Sequence, residues 1–353
     1  TVGLPFANPK KELIPQDPQY YSLPAVFNRA GYTTFRTCKP STSYDTADEL
    51  FTYNYEKWCV YAADDSGSKW HGDRAMEFLE MRESEDQKQP FLLYLGFSHP
   101  HDPRYGKEEL STKYGASNEP PAFPNPNAPP LPVNYLPEHP FRHGNDSGRD
   151  ETRVQGVMTK RNEATIRNEI GREYACIENI DRQIGRVLDK LEELGEMEHT
   201  YIFFTSDNGI AIGRHGLMGK QNLYEHSWRV PLIVKGPGIH ANTRAPGNTY
   251  LLDVFPTLCD MADIAPPETC DGKSFLPVLE GKTETIRDVI YGVFNIFKES
   301  YGGKGNGSRP GIRAVRKGDW KLIKYDVYDG QVGVTQLFNL KDNPNELLKE
   351  HHD

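Results

Sequence analysis

The chain of 353 residues carries 41 Lys and Arg against 50 Asp and Glu, a formal charge of −9, and its length predicts one large core with a smaller unit appended. The acidic balance excludes nucleic acid as the main partner, so any anionic small substrate must be met by local positive charge. No apolar run approaches the roughly 18 residues needed to span a bilayer, so this stretch carries no transmembrane segment, and the five cysteines are too few and scattered for a disulfide framework.

In chain order, "YYSLPAVFNRAGY" reads as a helix with apolar positions Leu23, Val26 and Phe27 and a stop at Gly31, and the β-rich "TTFRT" follows. "GDRAMEFLEMRES" is an amphipathic helix with Ala75, Phe78, Leu79 and Met81 on its apolar side. It leads into "PFLLYLGFS", a nearly unbroken apolar strand of the kind buried on both faces. Residues 119–140, "EPPAFPNPNAPPLPVNYLPEHP", hold too many prolines for a regular element and read as a long surface loop, or as an excursion over the active face. From 172 to 194 a helical stripe of Ile177, Ile180, Ile184, Leu188, Leu191 and Leu194 ends at Gly195. Strands "TYIFFT" and "VPLIVKG" follow, and after about Arg287 the texture turns to short β-rich pieces between Gly and Asp turns.

Helices alternating with apolar strands predict an α/β fold, a largely parallel sheet sandwiched by helices over residues 1–286, with a small antiparallel subdomain over 287–353. Ligands of such sheets bind at the carboxyl ends of the strands. That rule singles out "CKPS", "HPHDP" and "SDNG", which end the three apolar strands.

Asp207 and Asn208 offer a carboxylate and an amide carbonyl, the hard oxygen donors that Ca²⁺ or Mg²⁺ prefers, although Asp-Asn-Gly is also an ordinary turn. "GRHGLMGK" is no phosphate-binding P-loop, because its spacing is one residue too long and Gln221 stands where Ser or Thr would hold Mg²⁺. His215 and Lys220 on this glycine-rich segment can still reach an anion. His99 and His101 are two apart and share a face if extended, as metal ligands, a general acid or hydrogen-bonded turn residues. With no CxxC or HExxH companion a zinc site is weakly supported.

Together these stretches resemble the sulfatase family of the alkaline-phosphatase superfamily. "SDNG" with "GRHGLMGKQNLYEHSWRVPLIVKGPG" is similar to that family's run from metal ligands to sulfate-binding lysine. "PFLLYLGFSHPHDPR" resembles its strand ending in Pro-His-x-Pro, "LPAVFNRAGYTTFRTCK" its segment leading to a second lysine, and "RAVRKGDWKLIKY" with "LFNLKDNPNE" its C-terminal subdomain. The resemblance implies a sulfuric ester hydrolase acting on a sulfated small molecule or polysaccharide, with periplasmic, secreted or lysosomal residence. It implies that Asp207 and Asn208 bind Ca²⁺ or Mg²⁺, that Lys39 and Lys220 neutralise the sulfate, that His101 protonates the leaving oxygen, and that His215 lines the substrate pocket.

The resemblance also implies a formylglycine nucleophile, made from the Cys or Ser of a C/S-x-P-x-R motif, and an upstream Asp pair. Here "CKPST" has Thr42 where Arg belongs, and only Asp17 precedes the "AGY" segment. Either Cys38 is the modified residue in a drifted motif, or Cys38 stands in a glycine's place and the nucleophile lies upstream of Thr1. The spacing of Lys39 from Gly31 and Tyr32 favours the second reading, under which this chain alone is inactive. Pro40 and Ser41 stand where the family often has Trp-His. A phosphoester hydrolase of the same superfamily and a non-catalytic sulfated-glycan-binding protein are the alternatives.

Overall fold

The structure, a computed structural model, describes residues 18–40, 45–57, 67–121, 123–145, 161–297 and 308–348. Asp17, Thr42, Cys59 and most of the "YGGKGNGS" stretch lie outside the described residues.

The first sheet is parallel and three-stranded, in the order β2-β1-β3, formed by β1 (Thr33–Cys38), β2 (Tyr53–Glu56) and β3 (Phe91–Leu95). Alternation along β1 sends its side chains to opposite faces. Phe35 packs with Ala75, Phe78 and Leu79 of the Ser68–Glu83 helix and with Val187 and Leu191 of the Glu163–Glu193 helix. On the opposite side, Val26 and Phe27 of the Leu23–Arg29 helix pack with Leu92 and Cys259. The sheet is therefore covered on both faces, as the alternating pattern requires.

The long helix begins nine residues before the expected stripe. Its Asn162 cap accepts hydrogen bonds from the Thr165 backbone N–H and hydroxyl, each at 2.9 Å, and the first turns bury Ala164, Ile166 and Ile170, an apolar i, i+4 signal that the expected start at 172 passed over. Within the stripe Ile180 and Leu191 are buried but Ile177 is 46% exposed, because the buried face runs through Cys176, Asn179, Ile180, Gln183 and Val187 and leaves Ile177 at its edge.

Two expectations need correction. The "VPLIVKG" strand, β5 (Leu232–Lys235), runs antiparallel to β4 (Ile202–Thr205) in a separate two-stranded sheet. Thr205 pairs with Leu232, so the intervening chain never crosses to the other end of the sheet and the strand must return. The β3 run, expected to be buried on both faces, is only partly covered. Tyr94 is 46% exposed, and the cross-strand pair Phe204 and Ile233 is 40% and 61% exposed.

The C-terminal unit is a four-stranded antiparallel sheet in sequential order: β6 (Val289–Phe297), β7 (Ser308–Lys317), β8 (Trp320–Val327) and β9 (Val332–Asn339). Its inner face places Ile312, Ile323, Tyr325 and Phe338 against Leu217, Leu223 and Tyr224. Across this seam Lys321, fully buried, meets Glu225 Oε1 at 2.9 Å and Glu346 Oε1 at 2.7 Å.

The proline-rich loop is neither helix nor strand where described, apart from one bridge between Tyr135 and Arg214. It packs closely on the "GRHG" turn. A Cβ at Gly216, whose φ is +71°, would stand 2.1 Å from the Glu138 carbonyl carbon, so only glycine fits there. No described helix is long and apolar enough to cross a membrane.

Candidate active site

Because β1 and β3 are parallel and in register to Thr37 and Leu95, their following residues leave the sheet at the same end. The β1 chain delivers Cys38 and Lys39, and the β3 chain delivers Gly96 to His101. Beyond the ladder the Gly96 N–H donates to the Thr37 carbonyl at 2.7 Å.

His101 lies in a turn and not in an extended strand, so it does not share a strand face with the buried His99. Its Nδ1–H donates to the Asp102 carbonyl at 2.8 Å, with Asp102 Oδ1 at 3.2 Å. That fixes the tautomer and leaves Nε2 as the nitrogen that exchanges a proton. Desolvation holds the ring's proton affinity below the ordinary histidine range. Asp102 opposes this, while the charges of Lys39 and Lys220 lower it further. Both ammonium groups thus act on one imidazole, and the half-buried Lys39, Lys220 and His101 come from three separate stretches of the chain.

Asp207 and Asn208 follow β4. The Asn208 N–H donates to Asp207 Oδ1 at 3.0 Å, and Ser206 Oγ donates to the Asn208 carbonyl at 2.9 Å. The next residue, Gly209, donates to the Ser227 carbonyl at 3.0 Å, and a Cβ there would stand 2.0 Å from the His226 carbonyl oxygen. The turn is therefore docked tightly on the Glu225–Trp228 helix, with the Asp207 carboxylate exposed. The Tyr94 hydroxyl is pushed up to about 12 by desolvation, with Cys38 and Asp207 among the charges that raise it, which puts Asp207 on the same side as the β1 end. One carboxylate and one amide suit a hard cation in kind. They are two of the six to eight oxygens Ca²⁺ takes, and no group of three or more His, Cys, Asp or Glu suited to a metal occurs among the described residues.

Cys38 is a free thiol packed toward β3, where a Cβ on Gly96 would stand 2.9 Å from its Sγ. Desolvation raises its pKa, and Arg36 and Lys39 only partly offset this. A thiol held protonated is a poor nucleophile. Cys176, Cys259 and Cys270 are likewise free.

His215 does not join the cluster. Only 1% exposed, it stacks on Tyr224 at 4.0 Å and 8° and is hydrogen-bonded through Nε2 to the Glu346 carbonyl at 2.9 Å, in the seam with the C-terminal sheet. Burial lowers its pKa to about 4. The ring thus lies under the C-terminal sheet with its Nε2 taken by a backbone carbonyl, where a pocket-lining residue would be expected at the surface.

Sequence reasoning missed His71. It stands on the inner face of the Ser68–Glu83 helix with no exposed surface, between Thr37 Oγ1 at 2.7 Å from Nδ1 and Ser98 Oγ at 2.9 Å from Nε2. The available signal was its spacing, four and seven residues ahead of Ala75 and Phe78 on one helical stripe.

Comparison with known proteins bears on this arrangement. The profile described as Sulfatase matches residues 3–264, and that described as N-sulphoglucosamine sulphohydrolase, C-terminal, matches residues 213–353. Arylsulfatase K of Bos taurus is 30% identical over 290 residues, 78% of this chain and 50% of that protein. The multifunctional alkaline phosphatase superfamily protein PehA of Trinickia caryophylli is 32% identical over 243 residues, 65% of this chain and 45% of its own. This chain spans about half the length of these relatives. Among solved structures, BT4656 in complex with its substrate D-glucosamine-2-N,6-O-disulfate superposes with a TM-score of 0.64 at 20% identity, over 92% of this chain and 76% of that one. The phosphonate monoester hydrolase of Agrobacterium radiobacter gives 0.69 at 19%, over 92% and 75%. With a family match over most of its length and the sulfatase fold in its strands, the chain belongs to the sulfatase family.

Proposed function

We propose that this chain forms the cation-lined part of the active site of a sulfuric ester hydrolase acting on a sulfated carbohydrate. The observation that carries this is the joint effect of Lys39 and Lys220 on His101. Two ammonium groups around one histidine make a seat for an anion at the strand ends, where ligands of such sheets bind. The carbohydrate class follows the disulfated glucosamine bound by the structurally similar BT4656.

In this reading Lys39 and Lys220 grip sulfate oxygens and take up negative charge as it builds on the sulfate. The anion also offsets the lysine charges felt by His101, so its proton affinity rises when substrate binds. Nε2 is then protonated where it can donate to the bridging ester oxygen, while the Asp102 carbonyl holds Nδ1–H and fixes the ring. Asp207 and Asn208 would hold part of the coordination of Ca²⁺ or Mg²⁺, which would supply Lewis-acid polarisation there, and a hydrated formylglycine would supply the nucleophilic oxygen. We place the formylglycine in a segment preceding Thr1, because Cys38 lacks the Arg of the C/S-x-P-x-R motif and its side chain is packed against Gly96. The half-exposed faces of Tyr94, Phe204 and Ile233 support the same segment completing the sheet beside them, since covering what remains exposed would gain a fraction of the roughly 1.5–3 kcal/mol that full burial of a Phe or Ile side chain is worth.

The test compares 4-nitrophenyl sulfate with phosphate and phosphonate esters, using the intact protein and the 353-residue chain. Preferential sulfate turnover by the intact protein and none by the chain alone is expected. Turnover by the chain alone removes the upstream nucleophile from the proposal. Preference for a phosphorus ester supports the phosphoester alternative, and sulfate binding without turnover by the intact protein supports a non-catalytic glycan binder.

A further inference from the structure

We infer that His71 is a positioning residue that sets the spacing between Lys39 and His101 by clamping the ends of β1 and β3. Thr37 is two residues before Lys39, and Ser98 is three before His101. The β1–β3 ladder ends at Thr37 and Leu95, which leaves a gap in the strand pairing before Lys39 and His101. The Gly96–Thr37 backbone hydrogen bond is one tie across this gap. The imidazole of His71, reaching both hydroxyls from a different helix, is a second.

The hydrogen count makes the clamp directional. Ser98 Oγ donates its proton to the Lys57 carbonyl at 3.1 Å, so at Nε2 the imidazole is the donor. A neutral ring then presents Nδ1 as an acceptor, which takes the Thr37 hydroxyl proton. Every polar atom of the ring is satisfied in a single tautomer, and Trp70 and Phe97 hold it edge-on at 5.0 and 6.0 Å between centroids. Lys57 also ties β2 into the clamp, since its own carbonyl is the terminal acceptor. Among the described residues, the charged and titratable groups facing the ring are His99 and Lys57. Burial first, and then both of these groups, disfavour an imidazolium, so the tautomer persists across the neutral range. A buried histidine that only filled space would need no such continuous chain of bonds into both functional loops.

The inference rests on the sulfatase reading only for what Lys39 and His101 do, and its test reads their geometry independently of turnover. Histidine side chains of the chain are titrated by ¹⁵N NMR, and inorganic sulfate binding is measured, for the native protein and for His71→Phe and His71→Gln. The phenylalanine keeps ring volume and removes both hydrogen bonds, whereas glutamine can restore one donor.

Expected for His71→Phe are a His101 midpoint displaced toward its ordinary value, as Lys39 moves off, and sulfate affinity weakened about tenfold, with partial recovery in His71→Gln. A folded His71→Phe protein with both quantities native overturns the inference. If that variant does not fold, Thr37→Val and Ser98→Ala each remove one tie and are read in the same way. If the native chain binds no sulfate, the sulfatase reading fails. The His101 midpoint in His71→Phe still decides the positioning role, displaced in support or unchanged against it.

Discussion

The seam beneath the C-terminal sheet and the open strand ends both contain lysines beside a histidine, and they use them in opposite ways. In the seam Lys321 is enclosed with two carboxylates, Glu225 and Glu346, and His215 is sealed beside it as a neutral ring on Tyr224. At the strand ends Lys39 and Lys220 remain half-buried around His101, whose ring reports their positive charge. Compensated charge in a closed seam holds two units together, whereas charge gathered at an opening is available to an anion. Under the proposed function, the same residue types serve cohesion in one region and recognition in the other.

The largest way to break the comparison is Lys321→Met. It leaves the Glu346 carboxylate buried without its cation, while Glu225 keeps Arg316 at 3.5 Å, so about 3 kcal/mol of stability should be lost in a urea unfolding titration, while sulfate affinity of the folded fraction stays native. A neutral effect on stability would remove the seam from its structural role. Next, Lys220→Ala should lower kcat of the intact enzyme by roughly 10²–10³ yet leave its unfolding midpoint nearly unchanged, the reverse pattern.

Acid sharpens the contrast. His71 and His215 both have pKa values lowered to about 4 from 6.5 in the fold, chiefly by burial. The unfolded chain takes up these protons near 6.5, so their contribution is complete above that pH and is lost as pH falls toward 4. The loss should approach roughly 3 kcal/mol for each ring, measurable as unfolding free energy against pH. Replacing His215 with glutamine should flatten part of that slope without moving sulfate affinity. The smallest effect is expected from Cys38→Ala: about 1 kcal/mol of packing and no loss of turnover by the intact protein, where complete loss would restore Cys38 as the nucleophile's precursor.

Much of the candidate site's raw material was legible. Lys39, His101, Asp207 and Lys220 stand out as candidates because each follows an apolar strand or lies on a glycine-rich turn, and both are local patterns. His215 was legible as a histidine on that turn, but not as a buried one. Its neighbours Tyr224 and Glu346 lie nine and 131 residues away, and only folding stacks them on it. His71 went unread for the same reason. Its helical spacing marked an inward face, whereas its partners Thr37 and Ser98 are 34 and 27 residues distant.

Sequence by itself determined the alternation of helices and strands, the antiparallel ending and the family, because periodicity and motif spacing are properties of neighbouring residues. Tertiary structure alone decided that β5 returns antiparallel to β4, that Tyr94, Phe204 and Ile233 stand exposed, and which histidine faces the lysines and which is sealed away. Those outcomes depend on which distant surfaces meet, and burial and charge at each ring follow from that meeting.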